Sequence, residues 1–306
     1  MFIRGALIAA GTSESPIIWN GAPIEGYNPM LIYKNNNLSN SIITYNNFYG
    51  PQKAIQVGQE TATSQSNPKN SGTLNVSNSY FNGANVVTDG YNTTAQLKFE
   101  NSTFEDLRIE SYLTEGDLVI LSNCKLNNVS IDSKEVKVFN SIMKDSKIAI
   151  HDIVFQESVV YNSKFHRGGR IKVVNSFFIG LIMEGGKIDA KSSIFTSRDL
   201  LYDMMTIGSG SQISNSIFIG VNREKQIGGI KIGSGTYNIT NSTISNFYTG
   251  ITLTNDGTYN VYNNNIVNNA VFNAKNDSRY NLSLENNYWG TIDESEIEEF
   301  IKDKNE

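Results

Sequence analysis

Apolar and polar residues alternate in short segments that recur along the whole chain. Each segment ends in the phrase Asn-Ser-x-hydrophobic, and successive copies between residues 78 and 286 lie 17 to 26 residues apart, whereas the first interval is 38. The first position of the phrase falls at Asn40, Asn78, Asn101, Asn123, Asn140, Glu157, Asn175, Ser192, Asn215, Asn241, Asn263 and Asn286. Recurrence at intervals of this length is typical of a repeat protein in which each unit packs on its neighbours.

Apolar columns appear at fixed offsets from the first position. The residues three positions after it are Ile43, Phe81, Phe104, Leu126, Met143, Val160, Phe178, Phe195, Phe218, Ile244, Ile266 and Trp289. The residues two positions before it are Leu38, Val76, Phe99, Leu121, Val138, Phe155, Val173, Ala190, Ile213, Ile239, Val261 and Leu284. Alternation with period two indicates strands with one buried face, and its recurrence from copy to copy indicates parallel stacking.

A third column, eight positions after the first, gives each coil a third short strand in the middle of the chain. Its members are Ile109, Ile131, Ile148, Phe165, Met183 and Leu200. We therefore predict an all-β fold, a single right-handed parallel β-helix of about 11–13 coils with three short strands each, over residues 1–290.

Two polar columns mark the corners of the predicted coils. The first position is one, and the position five residues after it carries Gly83, Asp106, Asn128, Asp145, Asn162, Gly180, Ser197, Gly220, Asn246 and Asn268. Gly, Asn and Asp tolerate the left-handed backbone conformation, so we expect tight turns there. We expect the serines that follow the first position to form a buried ladder, in which the single cysteine, Cys124, is a small structural member.

The C-terminal segment 291–306 departs from the strand pattern. Ile297, Phe300 and Ile301 lie on one face of a helix predicted over Thr291–Lys304. Thr291, Asp293 or Ser295 is expected to cap its start. An amphipathic helix here would cover the open end of the coils, within the same domain.

The ends of the sequence resemble a known family. Asn286-Asn287-Tyr288-Trp289-Gly290-Thr291 is similar to the closing motif, and Gly5–Thr12 with Pro16–Trp19 is similar to the first-coil phrase, of right-handed parallel β-helix repeat proteins of the pectin-lyase-like superfamily. The resemblance implies an extracellular or cell-surface protein. The family includes polysaccharide lyases and hydrolases, adhesins and phage tail proteins. We expect the chain to be part of a longer protein, because members usually have further chain at both ends.

Composition narrows the functional classes. The net charge of −5 and the absence of a basic run argue against nucleic-acid binding and against attachment to an anionic membrane. One cysteine and two histidines cannot form a Cys/His zinc site. No apolar run is long enough for a membrane span, and no signal peptide is evident. We expect no cofactor, except calcium if the chain is a lyase.

Charged residues supply the candidates for chemistry. His151, Asp152, His166 and Arg170 lie near the corners of successive predicted coils and form the candidate catalytic edge. Glu110, Asp132 and Glu184 share the outward line of His166 and are candidates for binding, as are the tyrosines of the predicted loops, Tyr91, Tyr112 and Tyr202. Polar strand exteriors are also the ordinary consequence of solvation. Strand alternation likewise accounts for Arg170-Ile171-Lys172, which resembles a hydrolase tripeptide.

One outward column is apolar instead of polar. Its members are Ile142, Val159, Phe177, Ile194 and Ile217, and five stacked strands would make it about 20 Å tall. Monomers seldom expose such a patch, so we expect a protein partner, a second copy or a further segment to cover it.

Three functions fit these patterns. The favoured function is a non-catalytic, secreted or surface-displayed module that binds glycans or cell surfaces or spaces other domains. The alternatives are a polysaccharide lyase or glycoside hydrolase acting in a surface groove, and a structural component of a tail or sheath.

Overall fold

A computed structural model describes the chain at residues 2–3, 7–20, 31–33, 41–50, 53–58, 71–89, 94–111, 118–166, 169–184, 186–197, 203–222, 226–279 and 284–303. These residues belong to two compact units, Met1–Ile153 and Val154–Glu306. Short parallel strands are the main secondary structure of both units.

The strands are short and follow one another closely along the chain. The first half contains β1 Phe2–Ile3, β2 Ile8–Ala10, β3 Ile17–Asn20, β4 Leu31–Tyr33, β5 Ile42–Thr44, β6 Asn46–Tyr49, β7 Lys53–Gly58, β8 Ser71–Ser77, β9 Tyr80–Asn82, β10 Asn85–Asp89, β11 Thr94–Glu100, β12 Thr103–Glu105, β13 Arg108–Ser111, β14 Leu118–Ser122, β15 Lys125–Asn127, β16 Ser130–Phe139, β17 Ile142–Lys144 and β18 Lys147–Gln156. The second half contains β19 Val159–Tyr161, β20 Lys164–His166, β21 Arg170–Val174, β22 Phe177–Glu184, β23 Lys187–Lys191, β24 Ile194–Ser197, β25 Met205–Ile207, β26 Gln212–Ser214, β27 Ile217–Ile219, β28 Gly228–Ile232, β29 Gly235–Thr240, β30 Thr243–Ser245, β31 Thr249–Leu253, β32 Gly257–Tyr262, β33 Asn265–Val267, β34 Phe272–Asn276, helix α1 Glu294–Phe300 and β35 Ile301–Asp303.

Each coil pairs in parallel with the next one, strand by strand. In the first unit β11, β12 and β13 form one coil; β11 pairs with β14, β12 with β15, and β13 with the long strand β16. The second unit repeats the pattern, since β24 pairs with β27 and β27 with β30. Both units are therefore parallel β-helices, and the predicted fold class is confirmed.

The predicted apolar columns form the core. Every residue of the column three positions after the first position is buried from Phe81 to Trp289. Aromatic members stack on one another between coils. The ring centroids of Phe48 and Phe81 are 4.7 Å apart, and those of Phe81 and Phe104 are 5.0 Å apart. In the second unit Phe195 stacks on Phe178 at 5.2 Å and on Phe218 at 4.8 Å. Burial of these rings stabilises the packing between the coils that carry them.

The corner columns adopt the expected backbone conformation. From Asn78 to Asn286, every first-position residue has a φ of 45° to 59°, including Glu157 and Ser192. The second corner column is also left-handed except at two positions. Ser197 continues strand β24, and Gly220 lies so close to the next coil that a Cβ would overlap the Asn246 carbonyl oxygen. Gly220 is therefore required by close approach rather than by positive φ.

The buried serine ladder is also present. Its members connect neighbouring coils, as when the Ser79 amide donates to Ser102 Oγ at 3.2 Å and the Cys124 amide to Ser141 Oγ at 2.9 Å. Most Oγ atoms in turn donate to the carbonyl oxygen two residues earlier. Cys124 is 1% exposed, and burial raises its pKa to about 11. The thiol therefore stays neutral, as a structural member of the ladder should.

The register predicted for the first copy is wrong by five residues. Ile43 pairs with Val76 and so belongs to the column two positions before the corner. Tyr45, with a φ of 52°, occupies the corner that the sequence pattern predicts at Asn40, a residue outside the described ranges. Phe48 then supplies the aromatic core residue, opposite Phe81.

The C-terminal helix is shorter than predicted. It spans Glu294–Phe300, and Asp293 caps it by accepting a hydrogen bond from the Ser295 amide. Ile301 is not helical: it begins strand β35, where it pairs with Ala274 of β34. The segment therefore adds a strand to the sheet edge in addition to the helix.

Candidate functional site

A polar groove of about 680 Å³ runs along one corner of several coils in the first unit. Its lining residues are Gly50, Asn82, Gly83, Asn85, Asp106, Leu107, Arg108, Asn128, Val129, Ser130, Asp145 and Lys147. The groove spans consecutive coils, so an extended ligand can contact equivalent positions in each.

The repeat itself builds the groove. Asp106, Asn128 and Asp145 are left-handed corner residues with exposed side chains. Two positions later in each coil, strands β13, β16 and β18 begin at Arg108, Ser130 and Lys147. The residues between them point inward, so the corner carries acidic and amide groups on one side and cationic or hydroxyl groups on the other.

Hydrogen bonds hold several of these side chains in place. The backbone N–H of Arg108 donates to Asn85 Oδ1 at 2.7 Å, and the side-chain Nδ2 of Asn128 donates to Asp106 Oδ1 at 2.8 Å. The guanidinium of Arg108 also contacts Glu110 Oε1 at 3.4 Å. Groups fixed before a ligand arrives lose less conformational entropy on binding.

A pair of tyrosines borders the groove on the outer face of strands β6 and β9. The rings of Tyr49 and Tyr80 meet edge to face, with centroids 5.6 Å apart. Tyr80 donates its hydroxyl to Glu105 Oε2 at 2.5 Å, and this bond raises the pKa of Tyr80. Asn82 Nδ2 donates to the Tyr80 hydroxyl at 2.9 Å, and Asn82 also lines the groove. The half-buried rings of Tyr49 and Tyr80 are therefore directly adjacent to the polar side chains that line the groove.

The sequence-based candidates lie mostly elsewhere. Glu110 and Asp132 are neighbours on paired strands. Glu110 contacts the guanidinium of Arg108, which lines the groove. In the second unit Arg170 forms an ion pair with Asp189. Asp152 is exposed on β18. These roles remain predictions.

Other candidates cannot be placed in full. His151, His166 and Glu184 lie in strands β18, β20 and β22, but their side chains are outside the described part of the structure. Tyr91, Tyr112 and Tyr202 lie wholly outside the described residues. Sequence reasoning missed Tyr49, Tyr80 and Asn82, whose signal was an outward position on strands that the repeat predicts.

The apolar column is continuous in the second unit. Val159, Phe177, Ile194 and Ile217 pair in register on β19, β22, β24 and β27. Phe177 and Ile217 are 37% and 38% exposed. In the first unit Ile142 is 46% exposed and lies opposite Lys125.

Two further kinds of feature are absent from the described ranges. No group of three or more histidine, cysteine or acidic side chains there is arranged to hold a metal ion. None of the helical structure described is long and apolar enough to cross a membrane.

Comparison with known proteins shows similarity in structure but not in sequence. No protein-family model matches the chain, and no curated protein matches it. Tailspike protein 3 of bacteriophage CBA120 has a similar structure, with a TM-score of 0.48 and 10% sequence identity. The similarity covers 96% of this chain, which spans 56% of the length of the tailspike. The strand pairing described above assigns the chain to the parallel β-helix proteins by fold.

Proposed function

We propose that the chain is a non-catalytic β-helix that binds a glycan along the corner groove of the first unit. The supporting observation is the continuity between the tyrosine pair and the groove, with Asn82 belonging to both. Sugar rings present apolar faces that pack on aromatic rings and hydroxyl groups that need donors and acceptors. Tyr49 and Tyr80 supply the rings, while Asn82 and Asn128 supply amides.

Several features favour an extended ligand over a small one. The groove is open and follows successive coils, which repeat the same polar positions at the spacing of parallel strands, about 4.8 Å. Its acidic, basic and amide side chains can form hydrogen bonds with the hydroxyl groups of a polysaccharide. We propose that the protein acts outside the cell or at a cell surface, where such polymers are found, and that it binds without a cofactor.

Changing Tyr80 to alanine is expected to weaken binding to a neutral polysaccharide about tenfold, because the ring-stacking contact and its hydroxyl are both lost. Tyr80→Phe keeps the ring and should retain most of the affinity. A panel of neutral and uronic-acid polysaccharides, followed by affinity electrophoresis and calorimetry, identifies the ligand and measures the change.

Tyr262→Ala is the matched control, because Tyr262 is an exposed tyrosine of the second unit. Its affinity should equal that of the wild type. Unchanged binding by Tyr80→Ala, or equal losses in both variants, would contradict the assignment of the groove. Mass spectrometry of the same incubations, with and without calcium, tests the alternative of a lyase or hydrolase: released oligosaccharides would establish it.

Structural assembly is a second candidate, favoured by the apolar column on β19, β22, β24 and β27. Four apolar side chains in register on an exposed face are unusual for a monomer. Light scattering tests this function. A defined oligomer that Ile194→Asp converts to monomer would support it, while a monomeric wild type that binds no hydrophobic dye would exclude it.

A further inference from the structure

A cluster of cationic side chains lies on two neighbouring strands of the second unit. Strand β21 carries Arg170 and Lys172 outward, and β23 carries Lys187 and Lys191 outward, with Asp189 as the one acid between them. The strands pair in register, so Arg170 lies opposite Lys187 and Lys172 lies opposite Asp189. Four cations and one anion leave this surface with a net charge of +3, in a chain whose net charge is −5.

Asp189 neutralises part of the cluster. Its Oδ2 atom accepts from Arg170 Nε at 2.8 Å and from Arg170 Nη2 at 2.5 Å. Its Oδ1 atom is buried, accepts no hydrogen bond from the described residues, and lies 4.0 Å from Lys187 Nζ. Lys172 and Lys191 are exposed and form no ion pair within the described part of the chain. The positive charge is therefore concentrated on lysine side chains that reach solvent.

The fold does not require this arrangement. Solvation explains why outward residues are polar, but like charges directly opposite on paired strands destabilise a sheet. Elsewhere some outward lysines form ion pairs with a carboxylate two residues away on the same strand, as Lys137 does with Glu135 and Lys98 with Glu100. A ligand that neutralises the surplus charge would compensate for the repulsion.

The next two paired strands, β26 and β29, carry uncharged polar residues outward instead of charged ones. Outward positions there carry neutral Gln212 and Ser214 on β26 and Asn238 on β29. The Oδ1 atom of Asn238 is buried and has no hydrogen-bond partner among the described residues. Charged groups are therefore followed, strand by strand, by amides and a hydroxyl that suit uncharged polar groups.

We propose that this surface binds a polysaccharide segment that carries anionic groups, with sulfate or carboxylate groups at Arg170, Lys172, Lys187 and Lys191 and sugar hydroxyls at Gln212 and Asn238. It shares no residue with the groove of the first unit and takes a different ligand chemistry. The inference stands whether or not the groove binds a neutral glycan.

The test compares two double variants of the full chain. Lys172→Gln with Lys191→Gln removes two charges from the cluster. Lys231→Gln with Lys275→Gln removes two charges from the same unit at lysines paired with Asp203 and Asp277. Dextran sulfate, polygalacturonate, uncharged dextran and a single-stranded DNA oligonucleotide serve as probes, and circular dichroism verifies folding.

We expect the first double variant to bind at least one acidic polysaccharide about tenfold more weakly than wild type, and the second to bind it normally. Preference between dextran sulfate and polygalacturonate identifies sulfate or carboxylate as the anion. Asp189→Asn should bind about threefold more tightly, because it removes the neutralising carboxylate. A purely structural role for Asp189 would change only the thermal midpoint.

Any of three results would overturn the proposal: no binding of the acidic polysaccharides to the wild type, equal losses of affinity in the two double variants, or binding of DNA as tight as that of the polysaccharides. The last result would indicate a general attraction for polyanions.

Discussion

Replacing Phe178 with alanine is expected to lower the free energy of unfolding of the second unit by about 4 kcal/mol. Phe178 is fully buried and contacts three other rings: Phe155 at 5.2 Å and Phe165 at 6.2 Å, both edge to face, and Phe195 stacked at 5.2 Å. Alanine would leave a cavity that the coils above and below cannot fill, because their strands are fixed by parallel hydrogen bonding. Urea unfolding followed by far-ultraviolet circular dichroism measures the loss.

The adjacent residue provides a matched control. Phe177 lies on the same strand, carries the same side chain and points outward, with 37% of its surface exposed. Phe177→Ala should change the free energy of unfolding by about 1 kcal/mol or less in a monomer. Equal losses in the two variants would mean that Phe177 and Phe178 do not lie on opposite faces of β22.

Replacing Asn264 with leucine is expected to be similarly damaging, by about 3 kcal/mol, for a polar reason. Asn264 is 1% exposed. Its Oδ1 accepts from the Ser242 amide at 2.9 Å, and its Nδ2 donates to the carbonyl oxygens of Ile239 and Tyr262 at 2.9 and 3.0 Å. Leucine has nearly the same volume but leaves these buried backbone groups without that partner.

Asn264→Ser is the control, because serine occupies the same inward column in the preceding coils and accepts the equivalent amide hydrogen bond. We expect it to retain most of the stability, losing about 1 kcal/mol. Chemical denaturation of the three proteins under one condition makes the comparison. If leucine were tolerated as well as serine, hydrogen bonding in the inward column would contribute little to stability.

The fold could be predicted from the sequence because its periodicity is both local and repeated. The column that contains Phe81 and Phe178 recurs at one offset from the corner residue, so an error in one copy does not change the architecture. No earlier copy of the phrase precedes the first copy in the sequence, and Asn40-Ser41 matched the phrase. The structure selects Tyr45 instead, because the hydrophobic alternation of Ile43 and Phe48 then matches Val76 and Phe81.

The C-terminus was predicted only in part for a different reason. Apolar residues at positions 297, 300 and 301 have helical spacing, and the acidic first turn with its Asp293 cap does form a helix. Ile301 leaves the helix because strand β34 offers an unpaired edge, and hydrogen bonding there outweighs local propensity.

The groove was beyond sequence reasoning because it depends on which corners are adjacent in space. Asp106 and Asn128 are turn formers in the sequence pattern, and that role explains them completely without a site. Tyr80 and Glu105 are 25 residues apart, and only the pairing of β9 with β12 brings them into contact. With the correct register at Tyr45, the outward position of Tyr49 could have been aligned with that of Asn82, two residues from Tyr80.

The spacing between the aromatic core residues also bears on how the second unit folds. Phe178 and Phe195 are 17 residues apart, whereas the next coils are separated by 23 and 26 residues. Closing a shorter loop loses less chain entropy, so contacts between the closely spaced coils should form first. Each later coil then adds to an existing edge, and folding proceeds as growth from a nucleus. The tightest part of the repeat would thereby serve as the template for the more variable part.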